Sequence, residues 1–213
     1  MKYVVQTEAD WLELRKKYIT ASNAAVLVGA DPYSSVAKIK NPDPFFGNAY
    51  TFVGQMLEPV VVNVVNKVLG TSFELYETAG GAKEFYTQGY FGATPDAHMD
   101  RKVLLECKTT RPHTMLKYGV VPPNKYLIQL IVQMMCVGVD TGYLAIMSTN
   151  LTQVSAKLIW PVSIYAVNRD VRICNILIAE AERFAKCATF RVNSAVKQQV
   201  KLLLSACYMS VTK

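Results

Sequence analysis

Apolar residues recur along the chain in two rhythms. Helical spacing runs through residues 52–69, 124–137, 171–186 and 194–207, whereas short apolar or alternating runs at 73–78, 83–91, 97–99, 103–108, 143–148 and 153–164 predict strands. Thr7-Glu8-Ala9-Asp10 has the form of a capping box with Asp10 in place of the usual glutamate, and it predicts a short helix through Trp11, Leu14 and Lys17. Thr20 or Ser22 then caps a second helix, over the apolar run 24–28 with a stop at Gly29. Residues 31–48, rich in Pro, Asn, Asp, Gly and aromatics, predict a loop with a brief helix at 34–39. Pro161 breaks or ends the last strand. The order predicts an α/β chain with a mixed central sheet flanked by helices. It reads as a single domain over residues 1–213, with a C-terminal helical segment at about 166–213.

Two of these helices carry polar groups where apolar ones belong. Glu58 lies among apolar neighbours in 52–69, and Pro59 is awkward in a helix interior because it removes a donor and crowds the preceding turn. Either the helix begins near Glu58 or it kinks there. In 124–137, Gln129 and Gln133 are four apart and share a face, so an apolar helix presents an amide stripe beside Tyr126. The Lys-studded helix at 194–207 reads as a capping surface helix.

Composition narrows the classes. With 213 residues and 51% hydrophobic content the chain can bury one substantial core, and its net charge of +7 suits a polyanion such as nucleic acid. Cys107, Cys136, Cys174, Cys187 and Cys207 show no Cys-x-x-Cys spacing, which argues against a zinc ribbon, an iron–sulfur cluster or a disulfide framework and predicts reduced thiols in a cytoplasm. Charged residues follow Met1 too soon for a signal peptide. No apolar run reads as long enough to span a membrane.

The densest chemistry lies in Pro95-Asp96-Ala97-His98-Met99, the turn Asp100-Arg101-Lys102, and Val103-Leu104-Leu105-Glu106-Cys107-Lys108. Alternation puts Leu104, Glu106 and Lys108 on one face of the strand and Val103, Leu105 and Cys107 on the other. An acid and a lysine on an otherwise apolar strand are costly and suggest a function. Folding the hairpin brings Asp96 beside Glu106, where two acids repel unless a cation lies between them. Hard oxygen ligands favour Mg²⁺ or Mn²⁺. Lys108 could then orient or deprotonate an attacking water. Read singly, the other candidates are bland: Ser22 is a cap, Arg15 a solvated charge and Glu58 an exposed helical acid. Jointly, Arg15 and the first-turn amides after Thr20 could hold a phosphate.

The order Arg15, Ile19-Thr20-Ala21-Ser22, Gly54-x-x-x-Glu58-Pro59, Pro95-Asp96, Glu106-Cys107-Lys108 and Tyr126-x-x-Gln129-x-x-x-x-Met134 resembles the viral recombinase exonucleases typified by bacteriophage lambda exonuclease, a family of restriction-endonuclease-like nucleases. The likeness covers roughly the first two-thirds of the chain. It implies that Asp96 and Glu106 are metal ligands, with the backbone carbonyl of Cys107 as another and Glu58 near a second metal. Lys108 would activate water, Gln129 would hold that lysine, and Arg15 and Ser22 would bind a terminal 5′ phosphate. The implied activity is Mg²⁺-dependent hydrolysis of linear double-stranded DNA from the 5′ end, leaving a 3′ tail for single-strand annealing recombination.

The resemblance also implies a toroidal homotrimer and a single-strand annealing partner. A structure-specific or Cas4-like endonuclease of the same fold and a non-catalytic DNA-binding module are the rival readings, and the missing four-cysteine cluster argues against the Cas4-like case. The chain departs from the family pattern at Ala97, where glycine is common, at Ile131, where glutamine is common, and at Cys107, which replaces an aliphatic residue. Only the carbonyl of Cys107 is needed, so soft-metal binding through sulfur is not expected. His98 invites a general-base role that Lys108 makes unnecessary.

Overall fold

A computed structural model describes residues 1–40, 49–76, 82–118, 121–150, 152–154, 157–159 and 161–211. In chain order the elements are β1 (Lys2–Val5), α1 (Glu8–Lys16), β2 (Ile19–Thr20), α2 (Ala21–Leu27), α3 (Ala37–Lys40), α4 (Ala49–Leu69), β3 (Glu74–Leu75), β4 (Lys83–Gln88), β5 (Phe91–Ala93), β6 (Ala97–Met99) and β7 (Val103–Thr110). They continue with α5 (Pro112–Tyr118), α6 (Asn124–Val137), β8 (Thr141–Ser148), β9 (Thr152–Val154), β10 (Lys157–Ile159), β11 (Val162–Asn168), α7 (Val171–Lys186), α8 (Ser194–Cys207) and β12 (Tyr208–Ser210).

A six-stranded sheet of order β12-β11-β8-β7-β6-β3 forms the centre, and a four-stranded sheet of order β1-β4-β5-β2 adjoins it. Among the described residues the β7–β8 and β2–β5 pairs are parallel and the others antiparallel, so the central sheet is mixed as expected, the four-stranded sheet is mixed too, and β9 and β10 form a separate antiparallel ribbon. The two faces of β7 enter different cores. Leu104 joins the cluster built with α2, α6, α7 and α8, while Leu105 and Cys107 join Val61, Val62 and Val65 of α4. The alternation read from the sequence therefore sorts β7 between two helical layers.

Several expectations change at the boundaries. The run 83–91 is two strands, because Gly89 at φ 56° turns the chain between β4 and β5 in the left-handed region that glycine adopts freely. Of the strand expected at 73–78, only Glu74–Leu75 forms among the described residues, with 77–78 outside them. The part of the 31–48 loop at 41–48 also lies outside the described residues, as do 155, 156 and 160 of the 153–164 run. The remainder of 153–164 divides into β9, β10 and the start of β11. The brief helix expected at 34–39 forms at Ala37–Lys40.

Helix α4 spans Ala49–Leu69 with Pro59 inside it, so it does not start near Glu58. Its stretch Thr51–Leu69 does reach the length and mean hydropathy, 1.2, of a membrane-crossing helix, contrary to the sequence reading. Val61, Val62 and Val65 nevertheless pack on the sheet, and Phe52 and Met56 stay exposed. The 166–213 segment starts within β11 and contains α7 and α8. It returns through β12 to pair with β11, so it is stitched into the central sheet. Helix α8 buries Val200, Leu204 and Cys207, as a surface helix capping the core would.

Candidate active site

The hairpin β6–β7 turns at Asp100 and Arg101, with φ of 52° and 55°. Both central residues in the left-handed region suit the twist of a tight hairpin but strain a long side chain. A fork of two hydrogen bonds holds Arg101 there: Nη1 donates to Oε2 of buried Glu84 at 2.7 Å and Nη2 to Oε1 at 3.1 Å. Burial alone would raise the Glu84 carboxyl, but hydrogen bonds from Arg101, Lys2 and Tyr86 outweigh it and hold the carboxyl at about 2.

The register pairs Ala97 with Leu105, which sets Asp96 opposite Glu106 one step further on. The backbone N–H of Cys107 donates to Oδ2 of Asp96 at 2.8 Å, and the Asp96 carbonyl accepts from the Tyr76 N–H at 3.0 Å. Burial first, and then the charge of Glu106, push the Asp96 carboxyl well above its usual range, with Lys108 opposing and Glu58 reinforcing the shift. Burial would lower the Lys108 ammonium, yet Glu106 and Asp96 outweigh it and raise it. The Cys107 thiol is driven up by burial first and then by the nearby carboxylates.

Glu106 is wholly buried, and three donors neutralise it. Lys108 forms an ion pair with Oε1, Gln129 Nε2 donates to the same oxygen, and Gln133 Nε2 donates to Oε2. Gln129 was expected to hold Lys108; instead its amide goes to Glu106. The reason is electrostatic: a buried carboxylate needs donors more than an ammonium needs another neighbour. Gln133 is the site residue to which the sequence reading gave no role. Its only signal was the four-residue amide stripe on α6.

A cleft of about 1000 Å³ collects the other candidates: Arg15, Ser22, Glu58, Asp96, Cys107, Lys108 and Gln129 all line it. Glu106 does not, since it lies behind the wall that Lys108, Gln129 and Gln133 form. The Arg15 guanidinium stacks 4.2 Å from the Trp11 ring, where burial lowers its pKa, and the Lys83 ammonium lies 4.2 Å from the same ring. Trp11 Nε1 donates to Thr94 Oγ1 at 2.9 Å, tying α1 to the segment that carries Asp96.

The N-cap expectation holds at Thr7, whose Oγ1 accepts from the Asp10 N–H at 3.1 Å and whose hydroxyl donates to Asp10 Oδ2 at 2.7 Å. Thr20 occupies the N-cap position of α2 without a side-chain cap bond, and its hydroxyl lies 3.1 Å from that of Ser22 in the first turn. Ser22 is therefore not the cap. His98 packs edge-on against Tyr76 at 4.4 Å and lies off the cleft, its pKa lowered by burial and Arg101.

Among the described residues no three His, Cys, Asp or Glu side chains converge to enclose a metal by themselves. The hard donors of the hairpin are Asp96 in the cleft and Glu106 behind its wall, with Glu58 close enough to act on the Asp96 charge. Such a pair can polarise a phosphate through a cation, with an ammonium beside it to order a water. All five cysteines are free thiols.

A sequence model of the YqaJ-like viral recombinase domain matches residues 10–143, which contain every candidate named above. No curated protein matches the chain in sequence. The structure resembles the alkaline exonuclease LHK-Exo from Laribacter hongkongensis, with a TM-score of 0.60 and 18% identity over 93% of this chain and 97% of that one. The same exonuclease in complex with dAMP gives a TM-score of 0.59 at 17% identity, over 93% and 97% of the two chains. A phage related exonuclease from Haemophilus somnus 129PT gives 0.50 at 16% identity, over 91% and 98%. The shared feature is the restriction-endonuclease-like α/β fold.

Proposed function

The chain belongs to the YqaJ-like viral recombinase family, and on that premise we propose that it is a metal-dependent deoxyribonuclease. It digests linear double-stranded DNA from the 5′ end and leaves a 3′ single-stranded tail. The observation that carries this reading is the meeting in one cleft of Asp96 and Lys108, backed by Glu106, with Arg15 and Ser22. Two structural likenesses to exonucleases support it.

Asp96 and Glu106 would hold Mg²⁺, or Mn²⁺ in its place, together with the backbone carbonyl of Cys107, and Glu58 would serve a second ion. The donors fit in kind: all are oxygen, and burial and then the charge of Glu106 raise the Asp96 carboxyl, a penalty that a divalent cation would offset, with Glu106 exchanging a bond from Lys108, Gln129 or Gln133 to reach it. A bound divalent cation supplies a water of lowered pKa and stabilises the leaving oxyanion. Lys108 would orient that water, and Gln129 holds the Glu106 oxygen with which Lys108 pairs. Arg15, stiffened on Trp11, supplies a guanidinium to the terminal 5′ phosphate, and the Ser22 hydroxyl adds a hydrogen bond. Partial burial strengthens the Arg15–phosphate attraction by excluding water.

The 3′ tail would pass to a single-strand annealing protein, and a homotrimer encircling the duplex would keep the enzyme on its substrate. Linear and closed circular duplexes, with 5′-phosphate or 5′-hydroxyl ends, test the reading in Mg²⁺. Nucleotide release from the linear phosphorylated duplex with the circle intact supports it. A nicked or cut circle favours a structure-specific endonuclease, and DNA binding without nucleotide release favours a binding module.

A further inference from the structure

We propose that Gln133 is a positioning residue that ties Glu106 to the segment carrying Asp96. The inference rests on the nuclease reading above. Gln133 lies on α6 one turn beyond Gln129 and is 1% exposed. Its Nε2 donates to Oε2 of Glu106 and, at 3.4 Å, to the carbonyl of Thr94. Both neighbours can only accept, so the amide nitrogen must face them and Oε1 must face away. That oxygen is buried without a hydrogen-bond partner, on a residue that borders the cleft.

Thr94 is two residues before Asp96, so a single amide spans the gap between β7 and the β5–β6 connection. The hairpin register fixes the two carboxylates from the strand side, and Gln133 fixes them from the helix side. Lys108 and Gln129 share the other oxygen of Glu106, which leaves Oε2 to Gln133 among the described residues. A purely structural residue would gain nothing from an unpaired oxygen beside a polar cleft, since leaving a buried acceptor unmet is costly. The amide is kept for its nitrogen, which holds Glu106 and the Thr94 carbonyl together.

Two variants test the proposal: Gln133→Met, which keeps the length and removes the amide, and Gln133→Asn, which keeps the amide and withdraws it by one methylene. Each is compared with wild type by thermal melting, by Mn²⁺ titration calorimetry, and by kcat and KM on a linear 5′-phosphorylated duplex. In either variant that melts as wild type does, kcat falls about 10–100-fold with KM for DNA unchanged, and Mn²⁺ binds about 10-fold more weakly. Wild-type kcat and wild-type Mn²⁺ affinity in a folded variant overturn the role of Gln133 and leave the nuclease reading standing. Wild-type protein that releases no nucleotides with Mg²⁺ or Mn²⁺ overturns that reading, and this inference with it.

Discussion

The backbone N–H of Cys107 donates to Oδ2 of Asp96 at 2.8 Å, so the main chain of the hairpin fixes this carboxylate before any side chain does. Asp96 is held in place against repulsion, since burial and Glu106 both raise its carboxyl. Fixed geometry and disfavoured charge together are what a cation site requires.

Asp96→Asn therefore separates stability from activity. Asparagine keeps an oxygen for the Cys107 N–H and removes a charge that Glu106 repels. A carboxyl whose folded-state pKa is raised destabilises the fold once it ionises above its unfolded pKa. The variant should melt at or above the wild-type temperature near neutral pH and lose about 10³-fold or more in nucleotide release, the scale of losing a transition-state electrostatic group. A variant that melts lower, or that digests DNA normally, contradicts this account.

Lys108→Ala should abolish hydrolysis while largely sparing DNA binding, as read by mobility shift on a short duplex. It should also cost on the order of 3 kcal/mol in denaturant unfolding, because Glu106 loses its buried cation. The amides of Gln129 and Gln133 remain and limit the damage. Normal turnover would remove Lys108 from the chemistry.

Arg15→Ala should slow digestion of 5′-phosphorylated ends about 10–100-fold and leave 5′-hydroxyl ends nearly unchanged, the loss of a forked, charge-assisted contact. Equal slowing on both ends would show that Arg15 serves the cleft through Trp11 packing alone.

Acid should loosen the protein through Glu84. Its folded-state pKa is about 2 against an ordinary 4.5, so its contribution is fully present above about pH 4.5 and is lost as the pH falls toward 2. That contribution is about 2 kcal/mol, allowing for water around the half-exposed Lys2 and Arg101. Glu84→Gln should flatten stability against pH in that window, measured by urea unfolding at steps between pH 5 and pH 2. An unchanged slope would place the acid sensitivity elsewhere.

Much of this was legible locally. The Asp96–Glu106 juxtaposition, the two faces of β7, the amide stripe of α6 and the bounds of α6, α7 and α8 all follow from period, turn chemistry and capping. The break of 83–91 at Gly89 was missed because a glycine inside an apolar run reads equally well as strand or turn. Helix α4 runs through Pro59 because an unmet carbonyl one turn back costs less than unpacking Val61, Val62 and Val65 from the sheet.

The sequence by itself determined which residues could do chemistry and in what order, because side-chain type and local spacing are written one residue at a time. Only the tertiary structure decided who bonds whom. It sent Gln129 to Glu106, placed Gln133 between Glu106 and Thr94, hid Glu106 behind the cleft wall and stacked Arg15 on Trp11. Most of those pairings join residues 20 to 40 positions apart. Competition among donors for one buried carboxylate is settled only when the strands and α6 are packed together.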